Sequence, residues 1–168
     1  MKVDLYSFVG IYSRGLETLA HILTLGSDFA TENQITADEM LEWRLADDMF
    51  PLWRQAQIVC NFAQQWPARA AGLPVPAAHE GEQDLTTLIS SIRDAQAYLG
   101  RLQPEQFADR DDVPLTLDIG VMQPTMPLGQ WIVGFATTNF YFHSAVAYSI
   151  LRSRGVALGK RDFFAGGL

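Results

Sequence analysis

The chain has 168 residues, 48% of them hydrophobic, which is enough for one domain with a buried core. Its net charge of −7 argues against nucleic-acid binding, which needs a basic face, because 19 acidic residues outnumber 12 scattered basic ones. Charged residues make up only 18%, less than in most globular proteins, and this favours a surface partly covered by a second copy of the chain.

The N-terminal part is predicted to form a long helix and a short one. Residues 5–26 show apolar side chains at helical spacing, and Gly26 is expected to close this first helix, as glycine often does. Thr36 and Glu39 then form a capping box, in which a hydroxyl and a carboxylate three residues apart bond each other's backbone amides. The box predicts a short helix that continues to Leu45.

A second long helix is predicted over residues 49–65. Pro51 fits its first turn, where a missing backbone donor does no harm, and Asp47 or Asp48 is expected to accept from the free amides at the helix start. Two adjacent carboxylates could also serve as an acid–base pair, but their position just before a helix favours capping.

A long crossover and a third helix follow. Residues 66–83 are predicted to be irregular, because three prolines and two glycines interrupt them. Asp84 stands where a helix cap is expected, in front of a third long helix over residues 85–102.

The C-terminal part combines a hairpin, a helix and a tail. Between residues 114 and 127 apolar and polar residues alternate, with Gly120 at a turn, and this predicts a short β-hairpin. The last long helix is predicted over residues 128–154, with Gly155 ending it in a left-handed cap. The glycine-rich tail, residues 157–168, is expected either to lie on the bundle or to fray.

Together these elements predict an all-α fold over residues 1–168: a single domain formed by a four-helix bundle, with a long crossover loop and a small β-hairpin insert before the last helix. The nearest candidate for a membrane span, residues 131–151, carries Asn139 and His143 and is better explained as a core helix. The chain shows no signal-peptide pattern, and its single cysteine, Cys60, excludes an internal disulfide, so we expect a cytoplasmic protein.

Asn139 and His143 lie four residues apart in the apolar last helix and therefore share one face. Burial of such groups without partners is unfavourable, which leaves two interpretations. The first makes them ligand-binding groups that point between the helices. The second makes His143 a core residue bonded to a backbone carbonyl, to Asp48 or to Gln55.

Metal binding is constrained by the small number of histidines. A histidine-only site would require His21, His79 and His143 to converge, but His21 is on the polar face of the first helix and His79 is in the crossover loop. A mixed site of His143 with Asp48 or an amide side chain would be weak, because amide oxygens are poor ligands for zinc-like metals. We therefore predict no cofactor, with a divalent metal such as Zn²⁺ or Ni²⁺ as the alternative.

Aromatic side chains at helical spacing could line an apolar ligand pocket between the helices or could simply be core residues. The residues concerned are Trp43, Trp53, Trp131, Tyr141, Phe142 and Tyr148. The predicted ligand-binding set is His143, Asn139, Asp48, Gln55, Tyr148 and Trp53.

Two blocks of the sequence resemble a known domain-of-unknown-function family. Residues 44–52 read RLADDMFPL and are similar to that family's RLAPDMFPL-type signature. The second block consists of segments within residues 139–163 and begins with NFYFH. The family is grouped with the DinB/YfiT-like superfamily of metalloenzymes, and the resemblance covers essentially the whole chain.

The resemblance implies a DinB-like four-helix bundle that is often a homodimer. Members of the wider superfamily carry a three-histidine metal site, with one ligand on the second helix and an H-x-x-x-H pair on the last, and some use it for thiol-dependent or hydrolytic chemistry. Here only His143 matches that pattern. Asn139 stands where the paired histidine is expected, and the second helix offers only Asp48 or Gln55 nearby.

We therefore expect a protein of unknown function that lacks a complete metal site and binds a small molecule between its helices. The alternative is a metal-dependent transferase or hydrolase centred on His143. A third hypothesis is a bundle that serves mainly as an interaction partner for another protein. A homodimer is expected, with neither nucleic acid nor a membrane as a partner.

Overall fold

The computed structural model describes residues 3–167. Within this range, the long helical stretches are α1 (Ser7–Glu32), α3 (Leu52–Ala71), α4 (Leu85–Leu99) and the last helix, which joins α5 (Leu128–Gln130), a π-helical segment (Trp131–Ala136) and α6 (Thr137–Ser153). The shorter elements are α2 (Ala37–Leu41), 3-10 turns at Pro104–Phe107 and Asp162–Phe164, and the strands β1 (Pro114–Thr116) and β2 (Thr125–Pro127).

The long helices form the predicted four-helix bundle, which is confirmed. α3 packs against α6 and α4, and α1 packs against α4, α3 and α6. The core between them is filled by large, fully buried side chains, among them Tyr12, Leu16, Leu52, Leu88, Trp131 and Phe140. Within residues 3–167, every helix is too short or too polar to cross a lipid bilayer.

α1 continues past Gly26 to Glu32, so the predicted end of the first helix was wrong. Gly26 is buried inside the helix, and a Cβ atom there would lie 2.7 Å from Cδ2 of Leu151 on α6. The glycine is therefore needed for the close approach of two helices and not for a turn. The chain leaves the helix at Gln34, whose φ of 58° is left-handed.

The capping box at the start of α2 is confirmed. Glu39 N donates to Oγ1 of Thr36 at 3.2 Å, and Thr36 N donates to Oε2 of Glu39 at 3.0 Å. The helix itself is shorter than predicted, because it ends at Leu41 and does not reach Leu45.

Asp47 and Asp48 do not cap the second long helix, which corrects its predicted start. α3 begins at Leu52, with Pro51 at the N-cap position and no side-chain cap. Both aspartates are exposed on the preceding loop. The physical reason is Pro51, because the residue before a proline is pushed out of helical backbone and the helix cannot extend back to Met49.

α3 continues through Pro67 to Ala71, so the segment predicted to be irregular from residue 66 begins with helix. A proline inside a helix removes one backbone hydrogen bond. Trp66 and Ala70 in the same turns are buried in the core, and this burial offsets the lost bond. Gly72 then ends the helix with a left-handed φ of 70°.

The crossover loop between α3 and α4 is confirmed over residues 73–83, and α3 holds it in place. Side chains spaced four residues apart on α3 bond its backbone. The bonds run from Gln57 Nε2 to Gly81 O (2.8 Å), between the Asn61 side chain and the backbone of His79 (2.8 and 3.2 Å), and from Gln65 Nε2 to Pro76 O (3.2 Å). These hydrogen bonds hold the backbone of the loop against α3.

Asp84 caps α4 as predicted, since its Oδ1 accepts from Thr87 N at 2.7 Å. α4 ends at Leu99, three residues before the predicted end at residue 102. The predicted β-hairpin is also confirmed. β1 and β2 are antiparallel, with Leu115 opposite Met126, and Gly120 in the connecting loop has a φ of 87°.

The end of the last helix has the predicted left-handed cap. Gly155 has a φ of 97°, and Val156 N donates to Leu151 O at 3.2 Å. The tail then lies on α1, as the first of the two predicted alternatives states. Thr18 Oγ1 donates to Phe163 O at 3.3 Å. Leu168 lies outside the described residues.

Candidate functional site around His143

His143 on α6 and Gln55 on α3 form a polar contact between two neighbouring helices. Nδ1 of His143 lies 2.7 Å from Oε1 of Gln55. Gln55 is only 2% exposed, whereas His143 is half-buried. Of the possible partners predicted for His143, Gln55 is the residue that contacts the ring in the structure.

The hydrogen bonds of Gln55 determine which atoms face the imidazole. Its Nε2 donates to the carbonyl oxygen of Phe50 at 3.1 Å, and a carbonyl can only accept. Oε1 is therefore the atom that faces His143, and Nδ1 must carry a proton to donate to it. In the neutral ring this leaves the lone pair on Nε2.

The environment keeps this imidazole neutral. Burial lowers the pKa of His143 below its ordinary value, and the nearby positive charge of Arg54 lowers it further. The neutral ring is therefore the main form at neutral pH. No hydrogen bond among residues 3–167 uses Nε2, so the ring offers a lone pair that can act as a base, a hydrogen-bond acceptor or a metal ligand.

Asn139 lies one helical turn before His143, but its amide bonds its own helix. Nδ2 donates to the carbonyl oxygen of Phe135 at 2.8 Å. Phe135 belongs to the π-helical segment, so this bond supports the backbone where that segment joins α6. Asn139 therefore has a structural role that the sequence pattern did not reveal.

The other predicted ligand residues have surroundings of their own. Asp48 is exposed on the loop before α3. Trp53 donates from Nε1 to Oε1 of Glu42 at 2.8 Å, and Tyr148 packs edge-on against Phe163 of the tail, with ring centroids 5.6 Å apart. Among the six predicted residues, the hydrogen bonds within residues 3–167 connect only His143 and Gln55 to each other.

The aromatic residues considered for an apolar pocket have different surroundings in the structure. Trp131 is fully buried, with its ring centroid 5.7 Å from that of Trp66. Tyr141 and Phe142 are 42% and 57% exposed. The guanidinium of Arg154 lies over the ring of Trp43. Trp131 is thus a core residue, whereas Tyr141 and Phe142 face outward from the last helix.

The donors around His143 do not suit a zinc-like metal. The only neighbour bonded to its ring within residues 3–167 is the Gln55 amide oxygen, which already accepts from Nδ1. In the same range, no three His, Cys, Asp or Glu side chains are close enough to hold a metal ion. His21 lies 2.9 Å from Asp162 of the tail, and the backbone of His79 is held by Asn61. One imidazole and one engaged amide fall short of the usual four ligands.

A cavity of about 510 Å³ lies beside the π-helical segment and was missed from the sequence. Phe135 lines it, two helical turns or about 12 Å along the helix from His143. π-Helical segments are rare and often occur at functional sites. The signal in the sequence was Gly129 and Gly134 inside an apolar helix, because glycine weakens a helix unless packing or function keeps it.

Comparison with known proteins places the chain in a family. Residues 5–164 match the family described as Domain of unknown function (DUF1993). A solved structure of a DinB family member protein from Shewanella denitrificans is 31% identical in sequence, with a TM-score of 0.88, covering 95% of this chain and 91% of that chain. No curated protein matches the chain. The resemblance inferred from the two sequence blocks is confirmed: the chain belongs to the DUF1993 family of unknown function and has a DinB-like fold.

Proposed function

We propose that this protein binds a small molecule where α3 and α6 meet, with Nε2 of His143 accepting a hydrogen bond from it. The contact between Gln55 and His143 is the observation that carries this proposal, because it orients the imidazole and sets its tautomer. A fully buried side chain that positions a half-buried one is typical of a preorganised binding site.

The surroundings of His143 define the ligand class. Because Nε2 can only accept, the ligand needs an O–H, N–H or S–H donor. The positive charge of Arg54 favours neutral or anionic molecules over cations. Phe50 is 53% exposed, and its ring centroid lies 5.8 Å from the Arg54 guanidinium, so an apolar surface adjoins the charge. We infer a small hydroxyl- or thiol-bearing molecule with an apolar body.

The alternative is a metal-dependent transferase or hydrolase centred on His143. The free lone pair on Nε2 favours it, since neutral imidazole is a common metal ligand. Against it stands the donor set, which offers one imidazole and no carboxylate bonded to it among residues 3–167. We therefore derive no metal-dependent step and propose that the site works without a resident metal.

The experiment that tests this proposal observes the His143 imidazole directly. Small alcohols, thiols and hydroxy acids are titrated into ¹⁵N-labelled protein, and Nε2 of His143 is observed by NMR. A bound ligand is expected to shift this resonance. His143→Phe is expected to abolish binding, whereas the matched control His79→Gln is expected to retain it. If every fragment that binds does so equally well to His143→Phe, the proposal is wrong.

A parallel titration with Zn²⁺ and Ni²⁺ tests the alternative. One-to-one binding with a Kd below about 1 μM, lost in His143→Phe and kept in His79→Gln, would favour the metal-dependent enzyme. Weaker binding that is insensitive to His143→Phe would support the site without a metal.

We also propose that the protein forms a homodimer through the outer face of α6. Tyr141 and Phe142 are exposed there, and Thr138 and Ala145 on the same face are exposed as well. Exposed aromatic residues on a surface poor in charge are typical of an interface. Light scattering is expected to give twice the chain mass of 18.7 kDa, and Phe142→Lys is expected to give a monomer. A monomeric wild-type protein would contradict the proposed homodimer. The cytoplasmic location of the protein stays a prediction.

A further inference from the structure

We propose that the cavity beside the π-helical segment is a second ligand site and that it takes a small organic ammonium ion with an apolar body. Its volume of about 510 Å³ lies within the range of small-molecule sites in proteins. The walls come from β2, α5, the π-helical segment, the loop before β1 and Val3 in front of α1. Neither His143 nor Gln55 lines the cavity, so the proposal is independent of the function proposed above.

The loop that carries the acidic wall is tied firmly to α5. Gly129 N donates to the carbonyl oxygen of Asp111 at 2.8 Å, and Leu128 N donates to that of Val113 at 2.9 Å. A Cβ atom at position 129 would lie 3.2 Å from the Asp111 carbonyl oxygen, so the glycine allows the loop to come this close. Asp111 is therefore held in a fixed place on the cavity wall.

The charge of the cavity is negative. Asp111 and Asp112 both line it, and Oδ2 of Asp111 accepts from Val3 N at 3.3 Å. Neither aspartate belongs to any ion pair formed among residues 3–167. Met126 and Val133 provide apolar surface beside these carboxylates, on which the carbon skeleton of a ligand can lie. The net charge of −7 adds to the attraction of these carboxylates for a cation.

An organic ammonium ion fits this lining better than a metal ion does. Divalent cations need several oxygen ligands at once. In the part of the chain that the structure describes, no cluster of three acidic, histidine or cysteine side chains is tight enough to supply them. An ammonium group on a carbon skeleton uses the carboxylates and the apolar walls together, as ligands in such cavities usually do.

Gly134 offers a way to close the cavity without disturbing the fold. It lines the cavity within the π-helical segment, and a Cβ atom there would meet nothing within 4 Å. A larger side chain at this position therefore enters open space. Gly134→Leu is expected to keep the structure and to occupy the cavity.

The probe is phenethylamine, with phenethyl alcohol and phenylpropionate as controls of similar size that are neutral and anionic. Titration followed by amide NMR is expected to give a Kd of about 1 mM or tighter for the amine, with shifts at Gly129 and Gly134. The two controls are expected to bind at least roughly tenfold more weakly, because they lack the positive charge.

Matched variants assign the binding to the cavity. Asp111→Asn is expected to raise the Kd roughly tenfold. Asp94→Asn removes the same charge from an exposed position on α4 and is expected to leave the Kd unchanged. Gly134→Leu is expected to abolish binding. His143→Phe is expected to have no effect here, which separates this site from the one around His143.

Several outcomes would overturn the proposal. They are equal affinity for the alcohol or the carboxylate, full binding by Gly134→Leu, and no response to Asp111→Asn. The absence of binding at about 20 mM amine would overturn it as well.

Discussion

Oε1 of Gln55 lies 2.7 Å from Nδ1 of His143. This contact joins a buried side chain of α3 to a half-buried side chain of α6. Both polar atoms of the Gln55 amide have a partner, because Oε1 faces His143 and Nε2 donates to Phe50 O. The core therefore determines the orientation and the tautomer of a ring that is accessible from the surface. A change at Gln55 should be measurable at His143.

We expect Gln55→Leu to destabilise the protein by about 1–3 kcal/mol, because it leaves Nδ1 of His143 and the Phe50 carbonyl without a partner. Urea unfolding measures this loss. Gln55→Glu is the matched contrast, since it keeps an oxygen facing the ring and adds a negative charge. That charge should raise the pKa of His143, which NMR titration measures. An unchanged pKa in Gln55→Glu would contradict the geometry described here.

The pKa of His143 also predicts how stability depends on pH. The folded protein holds the proton less tightly than the unfolded chain, since burial and Arg54 lower the folded pKa. Above the unfolded pKa of about 6.5 both states carry a neutral ring, and His143 brings no penalty. As the pH falls below that value, the unfolded state binds more protons and the folded state loses stability. Urea unfolding of wild type and His143→Gln from pH 8 to about pH 5 should show the wild-type advantage shrinking.

Arg54 provides the control for this pH effect. Arg54→Gln removes a positive charge near the ring and should raise the folded pKa of His143 toward the unfolded value, so the loss of stability below about pH 6.5 should be smaller than in the wild type. Arg54→Lys keeps the charge and should resemble the wild type. A lower pKa in Arg54→Gln would show that the arginine does not act through its charge.

Local rules of helix capping predicted much of the fold correctly. Thr36, Asp84 and Gly155 all cap helices in the expected way, because caps depend only on neighbouring residues. The bundle itself followed from apolar spacing and from the two family-like blocks. In each case the information lay within a few residues along the chain.

The misjudged features depend on contacts between distant residues. The sequence predicts that Gly26 ends a helix, but a glycine is required there because Leu151 of another helix lies so close. The sequence predicts irregular structure at Pro67, but the burial of the surrounding turn stabilises the helix there. The cavity at the π-helical segment is formed only because β2 and the loop that carries Asp111 pack beside that segment. For the candidate site, the sequence named Gln55 among several partners of His143 and had no means of choosing between them.

Asp84 and Asp48 were both predicted as possible helix caps, and substitutions of the two should have different effects. Asp84 accepts from Thr87 N, and this bond lowers the pKa of its carboxyl. Asp84→Ala should lower the urea midpoint at neutral pH, whereas Asp48→Ala should leave it unchanged, because α3 starts beyond Asp48. The effect of Asp84→Ala should fade as the pH falls below about 4, where the unfolded carboxyl takes up a proton first and the folded one follows. A loss in Asp48→Ala as large as in Asp84→Ala would restore the original assignment.

Two glycines of α1 should respond in opposite ways to the same substitution. A Cβ atom at Gly15 would lie 2.5 Å from Cζ of Phe140, a fully buried ring that packs 5.0 Å from Tyr12 between centroids and cannot move aside. Gly15→Ala should therefore destabilise by about 1–3 kcal/mol despite its better helix propensity. At Gly10 the nearest atom is Nη1 of the flexible Arg14 side chain, 3.3 Å away, so Gly10→Ala should stabilise by about 0.5–1 kcal/mol. Urea unfolding of the two variants compares a packing effect with a backbone effect in one helix, and equal responses would mean that Phe140 does not pack against α1 at Gly15.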